Sequence, residues 1–400
     1  MSVWSIKGQR PLMGWRSAVS LRVPWTRLDW PILLLAVGLV ALGLVFVERM
    51  SEADELFGHG DKVSAGKQLA KALIAAPFLA LGFVLRPRWL RRNAYLLYGC
   101  ALGLVCLVPV LGEERNGARL WIPLPFGLDL QPSELVKIGV ILALARALYK
   151  NRLKRPRDWR TPSLLVLVPM GLVVLQPDLG TALTLVPVSL GLFYLAGARR
   201  RVLAGLVLGA ALLGTCAWRF DWIQGYQKKR IDTWASCFDA ATLIENRKGA
   251  AYHTYMARTF IGNGGLTGRG LGRGVANETG HLPERQSDSI FAVIAEEGGF
   301  LGASALVLTY VLFAGLFLAA AGRTRERFSR LVIAGTGLYF AAHFAINAGV
   351  NLGLIPMTGL TLPLMSTGGS SLLVSLTLLG MALGLSARAE VSLDSDSFRE

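Results

Sequence analysis

The sequence predicts an all-α polytopic membrane protein, and three observations carry that prediction. Hydrophobic residues make up 53% of the 400 positions, and they gather into blocks of about 17 to 22, close to the roughly 20 that a helix needs to cross a bilayer. Clusters of Lys and Arg fall between alternate blocks, as the positive-inside rule expects of short cytoplasmic loops. No low-complexity linker or internal repeat divides the chain, so one integrated membrane domain is expected.

The elements follow in order. Residues 1–30 form a tail carrying Lys7, Arg10, Arg16, Arg22 and Arg27. The block 31–47 behind it is long for a cleaved signal peptide and reads as an uncleaved start-transfer anchor. Further blocks lie at 69–85, 94–111, 134–149, 162–176, 179–197, 202–218, 289–321, 330–350 and 368–387, about ten spans in all. The block 289–321 is too long for one straight crossing, so part of it is expected to tilt or to leave the hydrocarbon. The second-to-third connection carries Arg86, Arg88, Arg91 and Arg92, and the fourth-to-fifth carries Lys150, Arg152, Lys154, Arg155, Arg157 and Arg160. Arg199 to Arg201 follow span six, and Arg323, Arg325, Arg327 and Arg330 follow span eight. These loops share a side with the N-terminus, which the rule places in the cytoplasm. An even number of spans puts the tail 388–400 there too, with the transmembrane domain occupying 31–387.

The opposite side receives 48–68, 112–133, the large loop 219–288 and the Pro/Gly-rich stretch 351–369. A loop of about 70 residues inside a compact membrane protein is unusual, and such loops tend to be functional. The working face is therefore expected to be extracytoplasmic. The net charge of +16 is accounted for by the inter-helical loops. No basic helix or aromatic-interleaved motif points to nucleic acid. Cys100 and Cys106 fall in one apolar run and read as lipid- or core-facing. Cys216 and Cys237 could be bonded, but their spacing does not require it. No Ser–His–Asp set and no zinc-type Cys/His cluster can be drawn from the sequence.

Four segments carry the candidate chemistry. LPERQSDSIFAVIAEE (282–297) places Glu284, Arg285 and Asp288 at the mouth of span eight, with Glu296 and Glu297 about two turns into it. Asp288 flanked by serines reads either as a helix cap or as a carboxylate kept ionised by the positive helix end. Glu296 and Glu297 are functional candidates if they lie within the bilayer, and unremarkable if the segment is still at its surface. QPSELVKIG (131–139) sets Glu134 and Lys137 three apart on one face, either an interfacial ion pair or a Lys held ready for an anionic headgroup. NGARLWIPL (116–124) adds Arg119 beside Trp121, an anion contact or an interfacial anchor. GNGGLTGRGLGRG (262–274) lacks the βαβ context of a dinucleotide fingerprint. Its amides could instead form an anion-binding nest with Arg269 and Arg273, or simply a flexible loop. Asp178 in QPDLGTAL is read as a helix cap. Pro356, Pro363 and Gly368–Gly369 mark a broken or re-entrant segment, tolerated where protein or a watery cavity surrounds it.

Taken together, GARLWIPL, QPSELVKIG, QPDLGTAL, the Gly-rich run leading into LPERQSDSIFAVIAEEGGFLG, and NAGVNLGLIPMTGLTLPLMSTGGSS resemble the SEDS family, the FtsW/RodA group of cell-wall polymerases. The motifs occur in the family's order across most of the chain. The resemblance implies a peptidoglycan glycosyltransferase that uses lipid II and works beside a class B penicillin-binding protein, a transpeptidase, in the bacterial inner membrane. It maps the family's essential aspartate onto Asp288, its Glu and Lys onto Glu134 and Lys137, and its Arg onto Arg119. Glu284, Arg285 and Ser370 complete the expected substrate-binding set. The chain departs from the family at Gln286-Ser287-Asp288-Ser289, where His-Thr-Asp-Phe is commoner, and at Thr367, where Tyr is commoner.

The implied reaction is an inverting displacement: a GlcNAc 4-hydroxyl attacks the MurNAc anomeric carbon, and undecaprenyl diphosphate leaves. Asp288 would be the general base. Arg119, Lys137, Arg269 or Arg273 could meet the leaving diphosphate, and a divalent cation, Mg2+ or Mn2+, could join them. Two rival readings are a lipid II flippase or transporter, which needs ionisable groups along a path through both leaflets, and a non-catalytic scaffold for the transpeptidase, which would tolerate loss of Asp288.

Overall fold

The computed structural model describes residues 25–58, 64–115, 118–124, 128–220, 225–249 and 251–389. Seven helices precede the large loop: α1 (Trp30–Phe57), α2 (Ala65–Val84), α3 (Pro87–Leu111), α4 (Pro132–Leu148), α5 (Arg160–Leu175), α6 (Leu179–Ala196) and α7 (Arg200–Arg219). The loop itself folds into α8 (Gly225–Ser236), α9 (Ala240–Glu245), α10 (Tyr252–Asn263) and α11 (Val275–Thr279). It is followed by α12 (Ile290–Arg323), α13 (Arg327–Asn351) and α14 (Gly369–Ala387). Each apolar block thus corresponds to one helix. Among the described residues, 8 helices are long and apolar enough to cross a membrane; α4, at 17 residues, and α7 account for the remaining two blocks. Pro stands in the first turn of α1, α3 and α4, where its missing N–H costs no helical bond.

Two boundaries differ from the sequence reading. The stretch 48–57, expected as loop, continues α1, because Met50, Ala53 and Asp54 lie on one helical face and are buried. The long block 289–321 is broken at Gly299, whose φ of 64° and ψ of −165° are non-helical. The piece before the break is buried, whereas the piece beyond it shows Phe300, Leu301, Leu308 and Val311 on its outside. The 34-residue stretch Ile290–Arg323 therefore serves as a short protein-packed helix followed by a span. The short antiparallel sheet β1 (Glu113–Arg115), β2 (Ala118–Leu124) and β3 (Leu128–Leu130) fills the connection between α3 and α4.

The helices sort into a centre and a periphery. In α13 and α14, 83% and 89% of the most apolar window is buried, against 17% and 22% in α2 and α3. α4 is also central, with Val140, Leu142, Ala143, Leu144 and Ala145 at 0% exposure. α2 lies tight against α14: a Cβ added at Gly380 would fall 2.0 Å from the Leu79 carbonyl, and one at Gly384 2.2 Å from that of Phe83. Small residues are what let membrane helices approach this closely.

The two ends have opposite characters. At one, basic connections tie the bundle: Arg91 pairs with Glu326 at 3.0 Å, Arg327 donates to the Asn151 and Ala196 carbonyls, and Arg323 pairs with Asp29. At the other, the sheet, the 264–289 region and the irregular stretch 352–368 come together. Ser370 bonds Asp129 and Gln131, and Thr367 bonds Gln286. The loops assigned to opposite sides by charge are thus at opposite ends.

Candidate active site

The turn that holds Asp288 is fixed from several directions through its backbone. Asn347 and Asn351, one turn apart on α13, each donate a side-chain N–H to the Asp288 carbonyl at 2.9 Å. Asn347 also donates to the Leu360 carbonyl at 2.6 Å. Ser366 donates its hydroxyl to the Ser287 carbonyl at 2.5 Å and accepts from the Leu362 amide at 2.8 Å. The Thr367 amide donates to the Gln286 carbonyl at 3.0 Å. Gly359, with φ +69°, turns its Cα face toward the carboxylate, so that an added Cβ would lie 3.5 Å from Oδ2. The broken stretch 351–369 is therefore the wall against which the Asp288 turn is clamped. The buried side chains of Asn347, Ser366 and Gln68 pair with the Leu360 carbonyl, the Leu362 amide and the Ser366 carbonyl, the kind of pairing that irregular backbone at this depth requires.

The side chain of Asp288 is left free by this clamp. No described residue donates a hydrogen bond to its carboxylate, and Ser289, not Asp288, occupies the N-cap position of α12, without a side-chain cap bond. The helix-cap reading is thus not what the structure shows. Burial, reinforced by the nearby charge of Glu284, pushes the Asp288 pKa up from 3.8 to about 7. A helix N-terminus would favour the anion by about 0.3–1 kcal/mol, and desolvation outweighs it here. The expectation of an ordinary, dipole-stabilised carboxylate is corrected on this point. Behind the turn, the Ser289 hydroxyl meets His253 Nε2 at 2.9 Å and donates to the Pro283 carbonyl at 2.9 Å. Burial lowers the His253 pKa to about 4, so this imidazole stays neutral and serves to hold the turn.

The Gly-rich run does form an anion nest, but the chain supplies the anions. The Gly272 amide donates to Glu297 at 2.8 Å, and the Val275 and Ala276 amides donate to Glu296 at 3.1 and 2.9 Å. Asn277 adds a bond to Glu297 at 2.6 Å. Beyond the carboxylates, the Arg269 and Gly270 amides donate to the Glu296 and Glu297 carbonyls, and Phe300 and Leu301 donate back to Gly265 and Leu266. These bonds replace the helical ones lost at Gly299. A Cβ on Gly299 would fall 2.2 Å from the Gly268 nitrogen, in a conformation that essentially only Gly adopts. Gly299→Ala is accordingly expected to destabilise the protein by on the order of 3 kcal/mol, read as a fall in Tm. An unchanged Tm would mean that the loop does not brace the break.

The QPSE cluster lies deeper in the bundle. Lys137 Nζ is 2.5 Å from Glu134 Oε1 and 2.9 Å from His343 Nε2, and both members of the ion pair are buried. His343 stands one turn before Asn347, so His343, Asn347 and Asn351 form one polar stripe linking the ion pair to the Asp288 turn. Next to it, Asp178 caps α6 through the Thr181 amide at 3.0 Å and accepts from Ser133 and Gln131. Ser370 accepts from the Gln131 amide and donates to the Asp129 carbonyl, both at 2.9 Å. Lys137 and Ser370 therefore position elements and do not face an open surface.

The remaining expected residues divide. Arg285 is buried in an ion pair with Asp54 and donates to the Asn277 carbonyl at 3.1 Å, which fastens the α1 extension to the loop; it is committed to the fold. Arg119, Arg269 and Arg273 are exposed; Arg119 lies 3.5 Å from Glu114 and Arg269 4.0 Å from Glu296. Glu284 is exposed, takes φ 47°, and accepts from Ser287 at 2.8 Å. Cys216 and Cys237 are not bonded to each other. The sequence reading missed Asn347, Asn351 and Lys71. The first two were detectable as polar residues four apart in an apolar span. Lys71, which donates to the Thr367 carbonyl at 3.0 Å, had no such signal, since a Lys at the end of an apolar block is ordinary.

A family model described as a cell cycle protein, FtsW/RodA/SpoVE, matches residues 29–390. The chain belongs to the FtsW/RodA/SpoVE family. Among curated relatives of this FtsW/RodA-type chain is a probable peptidoglycan glycosyltransferase FtsW of Thiomicrospira cyclica, 34% identical over 89% of this chain and 91% of its own. Another, of Coxiella burnetii, is 33% identical over 92% of this chain and 98% of its own. Among solved structures, a chain from work on polymerization and crosslinking by a peptidoglycan synthase complex aligns with a TM-score of 0.75 at 32% identity, covering 90% of this chain and 98% of that one. The rod shape determining protein RodA of Thermus thermophilus aligns with a TM-score of 0.66 at 31% identity, covering 90% and 97%.

Two departures of this FtsW/RodA-type chain from the expected motif are explained by the geometry. Ser289 holds the turn by its hydroxyl, and Thr367 bonds Gln286 through both its amide and its hydroxyl. As to a metal, the described residues contain no group of three His, Cys, Asp or Glu side chains that could hold one. The side chains around Asp288 therefore do not fit a protein-built Mg2+ or Mn2+ centre.

Proposed function

We infer that the substrate is lipid II and that Asp288 is the general base of its polymerisation. The chain is a peptidoglycan glycosyltransferase of cell-wall synthesis, as its FtsW relatives are named. The observation that carries the further reading is the Asp288 turn: its backbone is clamped, its carboxylate has no hydrogen-bond donor among the described residues, and burial pushes its pKa up to about 7. A base is most effective when its pKa is close to the working pH. Asp288 would take the proton of the GlcNAc 4-hydroxyl as that oxygen attacks the MurNAc anomeric carbon. The bond to undecaprenyl diphosphate breaks on the opposite face, giving a β-linked strand. The exposed Arg119, Arg269 and Arg273 are the candidates to meet the diphosphate, while Glu134, Lys137, Arg285 and Ser370 hold the surrounding elements in place.

The inner membrane of a bacterium is the proposed location, with the Asp288 end extracytoplasmic and a class B penicillin-binding protein as partner. The direct test is polymerisation of purified lipid II by the purified protein, alone and with that partner, read as glycan length on a gel. Transport of lipid II into proteoliposomes without polymer would favour the flippase reading instead.

Protonation of Asp288 removes the base, so kcat/KM is expected to fall as pH drops below about 7. Glu284→Gln takes away the charge that helps raise this pKa and should move the acid limb to lower pH. A limb that stays in place would mean that Asp288 does not titrate in the rate profile.

A further inference from the structure

At the end of the bundle away from Asp288, a cavity of about 600 Å³ opens where the α2–α3 turn, the α12–α13 turn and the end of α14 meet. Arg86, Arg88, Arg91, Arg325 and Arg388 line it, with Glu326 as its one acidic residue. Glu326 is already engaged by its own neighbours: Arg91 reaches Oε1 at 3.0 Å and the Ser329 hydroxyl donates to Oε2. Among the described residues, no ion pair joins Arg86, Arg88 or Arg325 to an acid. Arg388 is steered into place by the Phe83 and Gly384 carbonyls at 2.5 and 2.9 Å. Burial, and after it the neighbouring Arg86 charge, lowers its pKa.

The positive-inside rule explains why these loops are basic, but it does not require guanidinium groups from three separate turns to converge on one cavity. Pro87 and Leu385 give the cavity apolar wall, and the α2 surface leading to it exposes Leu81. A ligand with a phosphate head and a hydrocarbon tail matches this combination. Arg binds phosphate bidentately and is less strongly hydrated than Lys, and basic pockets between membrane helices on this side suit anionic lipid headgroups.

We propose that the cavity between the α2–α3 turn, the α12–α13 turn and the end of α14 binds the phosphate headgroup of an anionic phospholipid of the cytoplasmic leaflet. The lipid would cross-link three turns whose charges otherwise repel. This site is separate from the Asp288 end, so its failure would leave the glycosyltransferase reading untouched.

The test is thermal unfolding of the full chain, purified and delipidated in a neutral detergent, during titration with dioctanoyl phosphatidylglycerol, dioctanoyl phosphatidylcholine or inorganic phosphate. Phosphatidylglycerol is expected to raise Tm saturably, and phosphatidylcholine is not. Arg86→Gln with Arg325→Gln should weaken the phosphatidylglycerol effect about tenfold in concentration. The double Arg→Lys variant, which keeps the charge, should retain part of the effect and show that the positions tolerate substitution. Equal shifts from both lipids, or an undiminished shift in the Gln variant, would overturn the proposal. Inorganic phosphate giving the whole shift would overturn its lipid part.

Discussion

Asp288→Asn is expected to reduce glycan polymerisation by about 10²–10⁴-fold without harming the fold. The reason lies in how the turn is held. Asn347 and Asn351 grip the Asp288 backbone carbonyl, and Ser366 and Thr367 grip its two predecessors. None of these bonds uses the side chain, so an amide in its place keeps the geometry and removes only the proton acceptor. The stability effect has a definite sign. With a pKa raised from 3.8 to about 7, folded Asp288 holds its proton over a range where the unfolded chain has lost it. Wild-type stability therefore falls as pH rises through that window. Asn carries no such charge, so the variant's Tm at pH 8 should equal or exceed that of wild type. Undiminished polymerisation by the variant would remove Asp288 from the mechanism. A lowered Tm would mean that the carboxylate has a structural partner.

Lys137→Met is expected to act in the opposite manner, through stability first. Lys137 is sandwiched between Glu134 and His343 in the bundle interior, and Glu134 Oε2 already lacks a partner. Removing the ammonium strands a buried carboxylate, a loss of about 3–5 kcal/mol when one member of a buried ion pair is deleted. Combining it with Glu134→Gln should recover much of the lost Tm, because the stranded charge goes too. If Lys137 instead contacts substrate, the single variant would keep its Tm and raise KM. The two readings of the QPSE segment thus separate in one pair of measurements.

The sequence carried the architecture because crossing a bilayer is a local requirement. Runs of apolar residues and their flanking Arg and Lys are set by each segment's own solvation, so block positions and the sorting of loops to two ends could be read directly. It misjudged where a segment's environment is protein and not lipid. The α1 extension is helical because Asp54 meets Arg285 from the far side of the chain. The break at Gly299 was expected only as a tilt or a departure from the hydrocarbon, because its bonds come from residues about thirty positions earlier. Glu296 and Glu297 looked like exposed or functional acids, yet their partners are amides of a Gly-rich run that itself resembled an external anion site.

What the sequence alone determined is therefore a helical membrane protein, its two ends and its family motifs, among which the resemblance singled out Asp288. Only the tertiary structure decided which candidate charges are spent on one another. Arg285 went to Asp54, Lys137 to Glu134, and the loop amides to Glu296 and Glu297, while no described residue donates a hydrogen bond to the Asp288 carboxylate. The physical reason is that burial in protein makes every ionisable group seek a partner, and partners distant in sequence become visible only once the chain is folded.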